Sequence, residues 1–223
     1  MGELFSWNSL TEVKTMNRQA GWTLVEMAII MIVMGLLLGG VLKGQAIIVN
    51  AKIKNLENDY QGISVAIYSY RERYGALPGD DRYASKRFKI IPLVTSIANG
   101  DGNGKIRGPF DDVSEPPDHT KESRHLWAHL RSAQLITGVA GSPVLPLHIF
   151  NGITGVASST QSLKGRIPFT LSGIFVGFTN IPNHIALILE SRNDDNFPHS
   201  GQIQTQAFNY TNPSVRHKIY FAL

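Results

Sequence analysis

Apolar residues follow the chain in two successive patterns. Residues 24 to 42 read LVEMAIIMIVMGLLLGGVL, an apolar run with one charged residue, Glu26. A helix of that length is about 30 Å long, which is enough to cross a lipid bilayer. After the run, apolar residues recur every three or four positions, which predicts that the helix continues from Trp22 to about Tyr74 with one apolar face. The residues of this predicted face are Ala46, Val49, Ile53, Leu56, Tyr60, Ile63, Ile67, Tyr70 and Tyr74.

The pattern changes at Gly75, Pro78 and Gly79, which end the helix. Turn-forming residues then dominate positions 75 to 121. Residues 122 to 137 predict a short amphipathic helix that buries Leu126, Trp127, Leu130 and Ala133 and ends at Gly138. Five apolar runs with short connections predict an antiparallel meander. These predicted strands are residues 167–171, 174–178, 185–189, 203–208 and 218–221.

The predicted fold class is therefore α+β. A long N-terminal helix, half membrane-spanning and half amphipathic, packs on a small antiparallel sheet. Packing of the apolar face on the protein's own sheet is favoured over a separate coiled coil, because the sheet also needs an apolar partner.

Composition narrows the chemistry. The chain has no cysteine, which excludes disulfides, thiolate zinc sites and a thiol nucleophile. The net charge of +4 is only mildly basic. Serine-hydrolase, phosphate-loop and dinucleotide signatures are missing, so we expect a non-enzyme rather than an anchored periplasmic enzyme.

Glu26 lies only four residues after Trp22, near the start of the apolar run. A carboxylate inside a membrane helix is costly unless it is paired, although at the headgroup level it is tolerated. A cut between Gly21 and Trp22 would create an amine one helical turn from Glu26. Such an amine, on the same or a neighbouring chain, would neutralise the carboxylate.

The segment Gly-Trp-Thr-Leu-Val-Glu, residues 21 to 26, followed by the apolar run, resembles the processing motif of type IV prepilins and type II secretion pseudopilins. The resemblance implies that a prepilin peptidase cuts after Gly21 and methylates the new amine of Trp22. It also implies that Glu26 pairs with a neighbouring subunit's amine during filament assembly. Trp22 departs from the usual phenylalanine but remains a bulky aromatic.

Gly35 and Gly39 form a G-x-x-x-G motif, which permits close approach of helices in lipid but is also compatible with simple tolerance of small residues. The resemblance implies that this stretch of helix can unwind locally in pilin filaments. The absence of the proline that many major pilins carry near Lys43 favours a minor pilin or a pseudopilin.

The resemblance implies a domain organisation. Residues 1–21 are a leader, residues 22–42 the transmembrane and assembly helix, residues 43–75 its amphipathic continuation, and residues 76–223 a pilin-like head. Met16 stands at leader distance, and we hypothesise that translation starts there.

The expected function is that of a structural subunit of a type IV pilus or a type II secretion pseudopilus. Its expected location is the bacterial inner membrane, as a single-pass protein with a periplasmic head, and then the filament. The expected partners are the prepilin peptidase, other pilin or pseudopilin subunits and membrane lipid. The alternative function is a ligand-binding minor pilin for DNA uptake or adhesion, for which nucleic acid would be the partner.

Two acidic loops are candidate cation sites. Asp194 and Asp195, with Asn193 and Asn196 beside them, form an oxygen-rich loop late in the head, and they are the candidate calcium ligands. Residues 101–104, Asp-Gly-Asn-Gly, resemble the opening of a calcium loop. The later positions depart from the EF-hand pattern, so we interpret that segment as a solvated turn.

Two other clusters have competing interpretations. His125 and His129, with Glu122, share one helical face at a spacing that can hold zinc, but without a third ligand they are better interpreted as structural histidines. Residues 82–89 mix cations with aromatics, which suits single-stranded nucleic acid and equally suits a solvated loop or an acidic neighbour. The residues of that cluster are Arg82, Tyr83, Lys86, Arg87, Phe88 and Lys89.

Overall fold

The structure is a computed structural model that describes residues 21–88, 97–114, 121–158, 171–205, 210 and 212–223. The chain divides into two compact units, one up to Ile47 and one from Ile48 to Leu223. Helix α1, Leu24–Tyr74, begins in the first unit and ends in the second.

The first unit begins with a helix cap. The Thr23 amide and hydroxyl donate hydrogen bonds of 2.8 and 2.7 Å to Glu26 Oε2, and the Glu26 amide donates one of 3.2 Å to Thr23 Oγ1. This reciprocal arrangement is a capping box, which satisfies backbone N–H groups that the first turn of a helix leaves unpaired. It starts α1 at Leu24, two residues after the predicted start at Trp22.

The apolar run of α1 is uncovered. Helix α1 is long and apolar enough to cross a membrane, and none of its most apolar window of 18 residues is buried. The exposed side chains include large apolar groups such as Leu24, Leu36 and Leu42. The predicted membrane-length helix is thus present in the structure.

In the second unit, the predicted apolar face of α1 enters the core. Ile53, Leu56 and Tyr70 are fully buried, and the face packs in one cluster with side chains from the sheet. The Tyr60 hydroxyl donates a hydrogen bond of 2.6 Å to the Ala222 carbonyl oxygen, which ties the helix to the last strand. The prediction that this face packs on the protein's own sheet is confirmed from Val49 onward, whereas Ala46 is exposed.

The sheet has four antiparallel strands: β1, Thr154–Ser158; β2, Ile174–Pro182; β3, Ile203–Thr205; and β4, Arg216–Ala222. Their order is β1-β2-β4-β3, so β2 pairs with β4 and β3 lies at an edge. The α+β class is confirmed, but the predicted meander is wrong because β3 does not lie between β2 and β4. Two predicted strands continue outside the described residues, at 167–170 and 206–208.

The predicted strand over residues 185–189 is wrong, because this segment lies in helix α4, Asn183–Asn193. Its buried apolar residues Ile185, Ala186 and Leu189 recur at helical spacing. Pro182, with φ −60° at the N-cap, is compatible with a helix start. A short continuous apolar run fits either a strand or a buried helix by pattern alone, and here the helix is formed.

The other helices are short. Helix α2, Ala84–Arg87, was not predicted, and helix α3, Glu122–Ser132, ends before the predicted Gly138. Gln134 adopts φ +58°, and the amides of Gln134 and Leu135 bond to the carbonyl oxygens of Arg131 and Leu130. This is a Schellman motif without glycine, and it stops the helix. Strand β1 was missed because its sequence, TGVAS, is small and only weakly apolar.

Candidate functional site

The junction between Gly21 and Trp22 precedes the helix. Both residues have irregular structure, and the Trp22 side chain is 71% exposed. Since the capping box fixes the first helical residue at Leu24, the Gly21–Trp22 peptide bond lies outside the helix. Proteolytic cleavage concentrates in exposed irregular chain, so this bond is accessible to a protease.

Glu26 has a local role that the sequence interpretation missed. Glu26 Oε2 accepts hydrogen bonds from both the amide and the hydroxyl of Thr23. The other oxygen, Oε1, has no hydrogen bond to a described residue. One carboxylate oxygen therefore caps the helix while the second remains available to a partner. The signal for the cap is the Thr-x-x-Glu spacing itself.

Gly35 and Gly39 lie in the helix with open space around them. A Cβ atom built on either residue meets no other atom within 4 Å. Glycine destabilises a helix interior by about 1 kcal/mol relative to alanine. Nothing in the described chain requires glycine at these positions, and the space beside them is open to a neighbouring helix.

The acidic loop after α4 brings three carboxylates together. One oxygen of each of Glu190, Asp194 and Asp195 lies within 4.8 Å of the other two. Glu190, which the sequence interpretation missed, is fully buried, and its Oε2 has no hydrogen-bond partner among the described residues. Its Oε1 accepts a hydrogen bond of 2.8 Å from the Tyr210 hydroxyl.

The two aspartates of this cluster are held by their own loop. Asp194 Oδ2 accepts a hydrogen bond of 2.6 Å from the Ile203 amide, and Asp195 accepts bonds from Ser200 Oγ and the Phe197 amide. A Cβ on Gly201, which has φ +79°, would collide with the Asp194 carboxylate. The loop therefore depends on glycine to seat that carboxylate.

The charges of these carboxylates favour the binding of a cation. Burial, together with the nearby charges of Asp194 and Asp195, raises the pKa of Glu190 to about 7, although the hydrogen bond from the Tyr210 hydroxyl opposes the shift. A divalent cation would remove the cost of ionising this carboxyl group. Carboxylate oxygens are the ligands that calcium prefers, so these residues fit such an ion.

The Asp-Gly-Asn-Gly segment, residues 101–104, is organised around a buried aspartate. Asp80 accepts hydrogen bonds of 2.5, 3.0 and 2.7 Å from the amides of Gly102, Asn103 and Gly104. Glu122 accepts bonds from the amides of Asp101 and Arg107. Backbone amides occupy the Asp80 and Glu122 carboxylates, and the Asp101 carboxylate pairs with Arg107 at 2.6 Å, so the segment is a turn around Asp80 rather than an EF-hand.

His129 is a structural histidine, as predicted. Its Nδ1 accepts a hydrogen bond from the Gly79 amide, and its Nε2 lies 2.9 Å from the Ala98 carbonyl oxygen. Both nitrogens are therefore engaged in the neutral Nε2–H form, and burial lowers the pKa of the ring. The His125 ring is buried and stacks on it at 6.4 Å between ring centroids.

The predicted cationic and aromatic cluster lies at a cleft of about 680 Å³ in the second unit. The cleft lies between the end of α1, the following loop and the start of β2. Arg82, Tyr83 and Arg87 line it, and the end of α1 adds Tyr68, Arg71 and Tyr74, which the sequence interpretation missed. Lys86 Nζ lies 5.6 Å from the Tyr83 ring centroid, Phe88 packs edge-on against Tyr74, and Lys89 lies outside the described residues. We call this site the arginine–tyrosine cleft.

Asp81 organises one wall of this cleft. Its carboxylate accepts hydrogen bonds of 2.8 Å from the Tyr70 hydroxyl and the Tyr83 amide, and it forms an ion pair of 2.6 Å with Arg87. Arg82 donates its Nε–H to the Asp101 carbonyl oxygen. These contacts fix Arg82 and Arg87 at the cleft and leave other N–H groups of each guanidinium unused by described residues.

Comparisons with known proteins identify no relative. No family model matches the sequence, and no curated protein or solved structure is significantly similar to the chain.

Proposed function

We propose that the chain is a prepilin-like structural subunit, a minor pilin or pseudopilin. It is cut after Gly21 by a prepilin peptidase, N-methylated on Trp22 and assembled into a type IV pilus or type II secretion pseudopilus. The observation that carries the proposal is the arrangement at the N-terminus. An exposed, non-helical Gly21–Trp22 bond is followed at once by a capped, uncovered helix of membrane length.

The exposed apolar surface of α1 needs an apolar environment in every state of the protein. In the inner membrane, with the head in the periplasm, lipid would cover it. In a filament, equivalent helices of neighbouring subunits would cover it instead. The open space around Gly35 and Gly39 supports this step, because small residues let helix backbones approach closely.

Glu26 supplies the polar contact in this mechanism. Its second oxygen would receive the N-terminal amine of a neighbouring subunit and so fix the register of addition. Glu26→Ala is expected to reduce assembly more than membrane insertion. Normal assembly of that variant with wild-type partners would contradict this role.

Processing is tested by co-expressing the full chain with a prepilin peptidase. Gly21→Val is expected to block the loss of the leader, because a branched side chain does not fit a protease subsite that accepts glycine. Gly44→Val, which lies after the apolar run, is the matched control and is expected to be processed normally. Cleavage of Gly21→Val at the same bond would contradict the proposal.

We further propose that Glu190, Asp194 and Asp195 hold a calcium ion in the head. The buried Glu190 Oε2, which has no hydrogen-bond partner among the described residues, supports it. The chain has no cysteine, so a bound cation would take the place of a disulfide in tying the loop after α4 to β3. The alternative function, a ligand-binding filament subunit, is favoured by the arginine–tyrosine cleft.

A further inference from the structure

We propose that the arginine–tyrosine cleft is a binding site for single-stranded nucleic acid. In this arrangement the guanidinium groups of Arg71, Arg82 and Arg87 contact phosphates, and the rings of Tyr68 and Tyr83 stack on bases. The site goes beyond the proposed structural role, and it depends on the geometry of the cleft alone.

The arginines of the cleft have unused capacity for an anion. Arg71 makes no hydrogen bond or ion pair with another described residue and is exposed. The two acidic residues in the lining are already satisfied: Asp80 holds three backbone amides, and Asp81 holds Arg87, a tyrosine hydroxyl and an amide. Among the described residues, neither carboxylate forms a direct ion pair with Arg71.

Two tyrosine side chains of the cleft lining are exposed in the described chain. Tyr68 is 54% exposed and Tyr83 is 55% exposed, although both side chains are large. Tyr74 is different, because its ring lies under Arg87 at 5.4 Å from the centroid and packs on Tyr70. Lys86 Nζ lies 5.6 Å from the Tyr83 ring centroid, but Tyr83, like Tyr68, remains more than half exposed, so these are the two rings that can accept a planar group.

The combination of arginines with exposed tyrosine rings favours single-stranded nucleic acid over other anions. An acidic peptide would use the arginines but would leave Tyr68 and Tyr83 without a role. A duplex keeps its bases stacked on one another and cannot offer their faces to rings in a recess. A single strand offers phosphates and unstacked bases together, and aromatic stacking beside basic groups is how such strands are bound. The cleft volume of about 680 Å³ lies within the range of small-ligand sites.

The test is fluorescence anisotropy of a labelled oligothymidylate titrated with the full-length chain in detergent micelles. Tyr83→Ala is expected to weaken binding roughly 5- to 150-fold, which is the usual loss for one stacked base. Tyr83→Phe keeps the ring and should bind like the wild type. Arg71→Gln is expected to reduce the slope of log K against log salt concentration by about 0.7, as loss of one phosphate contact predicts.

Lys54→Gln is the matched control, because Lys54 is an exposed cation of the same helix that does not line the cleft. It should leave both affinity and salt dependence unchanged. Several results would overturn the proposal: no binding of the oligonucleotide, equal affinity for a duplex, or equal competition by polyglutamate. Unchanged affinity of Tyr83→Ala would also overturn it, since binding would then be electrostatic attraction without stacking.

Discussion

Two roles of Glu26 can be separated by a pair of variants. In the structure the carboxylate caps α1 through Thr23, and in the proposed assembly its charge pairs with a neighbour's amine. Glu26→Gln keeps an oxygen that can accept from Thr23, because glutamine also completes a capping box, but it removes the charge. Thr23→Ala removes the hydroxyl and keeps the charge. We expect assembly to fail in the first variant and to persist in the second.

The magnitudes of the two effects differ enough to be distinguished. Loss of an N-cap side chain costs about 1 kcal/mol of helix stability. A carboxylate and an ammonium group about 4 Å apart attract one another by about 4 kcal/mol at an effective dielectric constant of 20. Loss of that attraction corresponds to roughly a thousandfold change in the equilibrium for adding a subunit. The Glu26→Gln defect should therefore be the larger by a wide margin.

The assay is recovery of sheared filaments from cells that express each variant at equal level. Membrane fractionation and the mass of the processed chain are measured in parallel, so that a failure of insertion or cleavage is not mistaken for a failure of assembly. Wild-type filament yield from Glu26→Gln, or a loss of filaments from Thr23→Ala as severe as that from Glu26→Gln, would refute the charge-pairing role.

Three further predictions concern the head and are measured by urea unfolding of the full chain in micelles. Asp81→Asn should lower the free energy of unfolding by about 2–3 kcal/mol, because a buried cluster of charge-assisted hydrogen bonds is lost. The control Asp111→Asn, which removes a more exposed ion pair, should lower it by less than about 1 kcal/mol. Equal losses of stability in the two variants would contradict this prediction. Calcium at a hundred times its Kd should stabilise the wild type by about 2.7 kcal/mol and leave Glu190→Gln unchanged; an equal gain in both chains would exclude Glu190 as a ligand. Burial lowers the pKa of His129 and His148 below the ordinary value near 6.5. In the Glu190→Gln variant, where that carboxyl group no longer titrates, these histidines are therefore protonated in the unfolded chain before they are protonated in the folded chain as pH falls. Stability should then be constant above about pH 6.5 and decrease below it, and a flat profile down to pH 5 would contradict the assignment.

The long helix was predictable because its signal is local and repeated. The apolar run and the three-to-four spacing continue without a breaker up to Gly75, and α1 ends at Tyr74. Its start was predicted two residues early, because the capping box was not considered. That cap was available from the sequence as Thr23 and Glu26 at the required spacing.

The order of the sheet was not predictable from the strand patterns. Five residues of apolar sequence, Ile185–Leu189, fit a strand as well as a helix, and the wrong choice made the sheet a meander. Helix α4 separates β2 from β3 along the chain. Strand β3 pairs with one edge of β4, and β2 pairs with the opposite edge of β4. Strand β1 depends on Gly155, where a Cβ would collide with the Phe110 backbone, and such a tertiary constraint leaves no periodic signal.

The candidate sites were predicted only in part, for a related reason. Asp194 and Asp195 are neighbours in sequence, but Glu190 joins them because a helical turn brings it to the same end of α4. The basic cluster was visible in residues 82–87, whereas Tyr68 and Arg71 come from α1, which appeared in the sequence only as an amphipathic helix. Each site combines residues from more than one part of the chain that packing brings together. The composition of a single segment therefore shows only some of the residues of each site.

Cleavage and methylation at Trp22 are tested by the intact mass and N-terminal sequence of the chain purified from the membranes of cells with a prepilin peptidase. We expect a mature chain that begins at Trp22 and carries one added methyl group on its N-terminal amine. A chain that keeps the residues before Trp22, or one cut beyond the apolar run near Lys43, would contradict it.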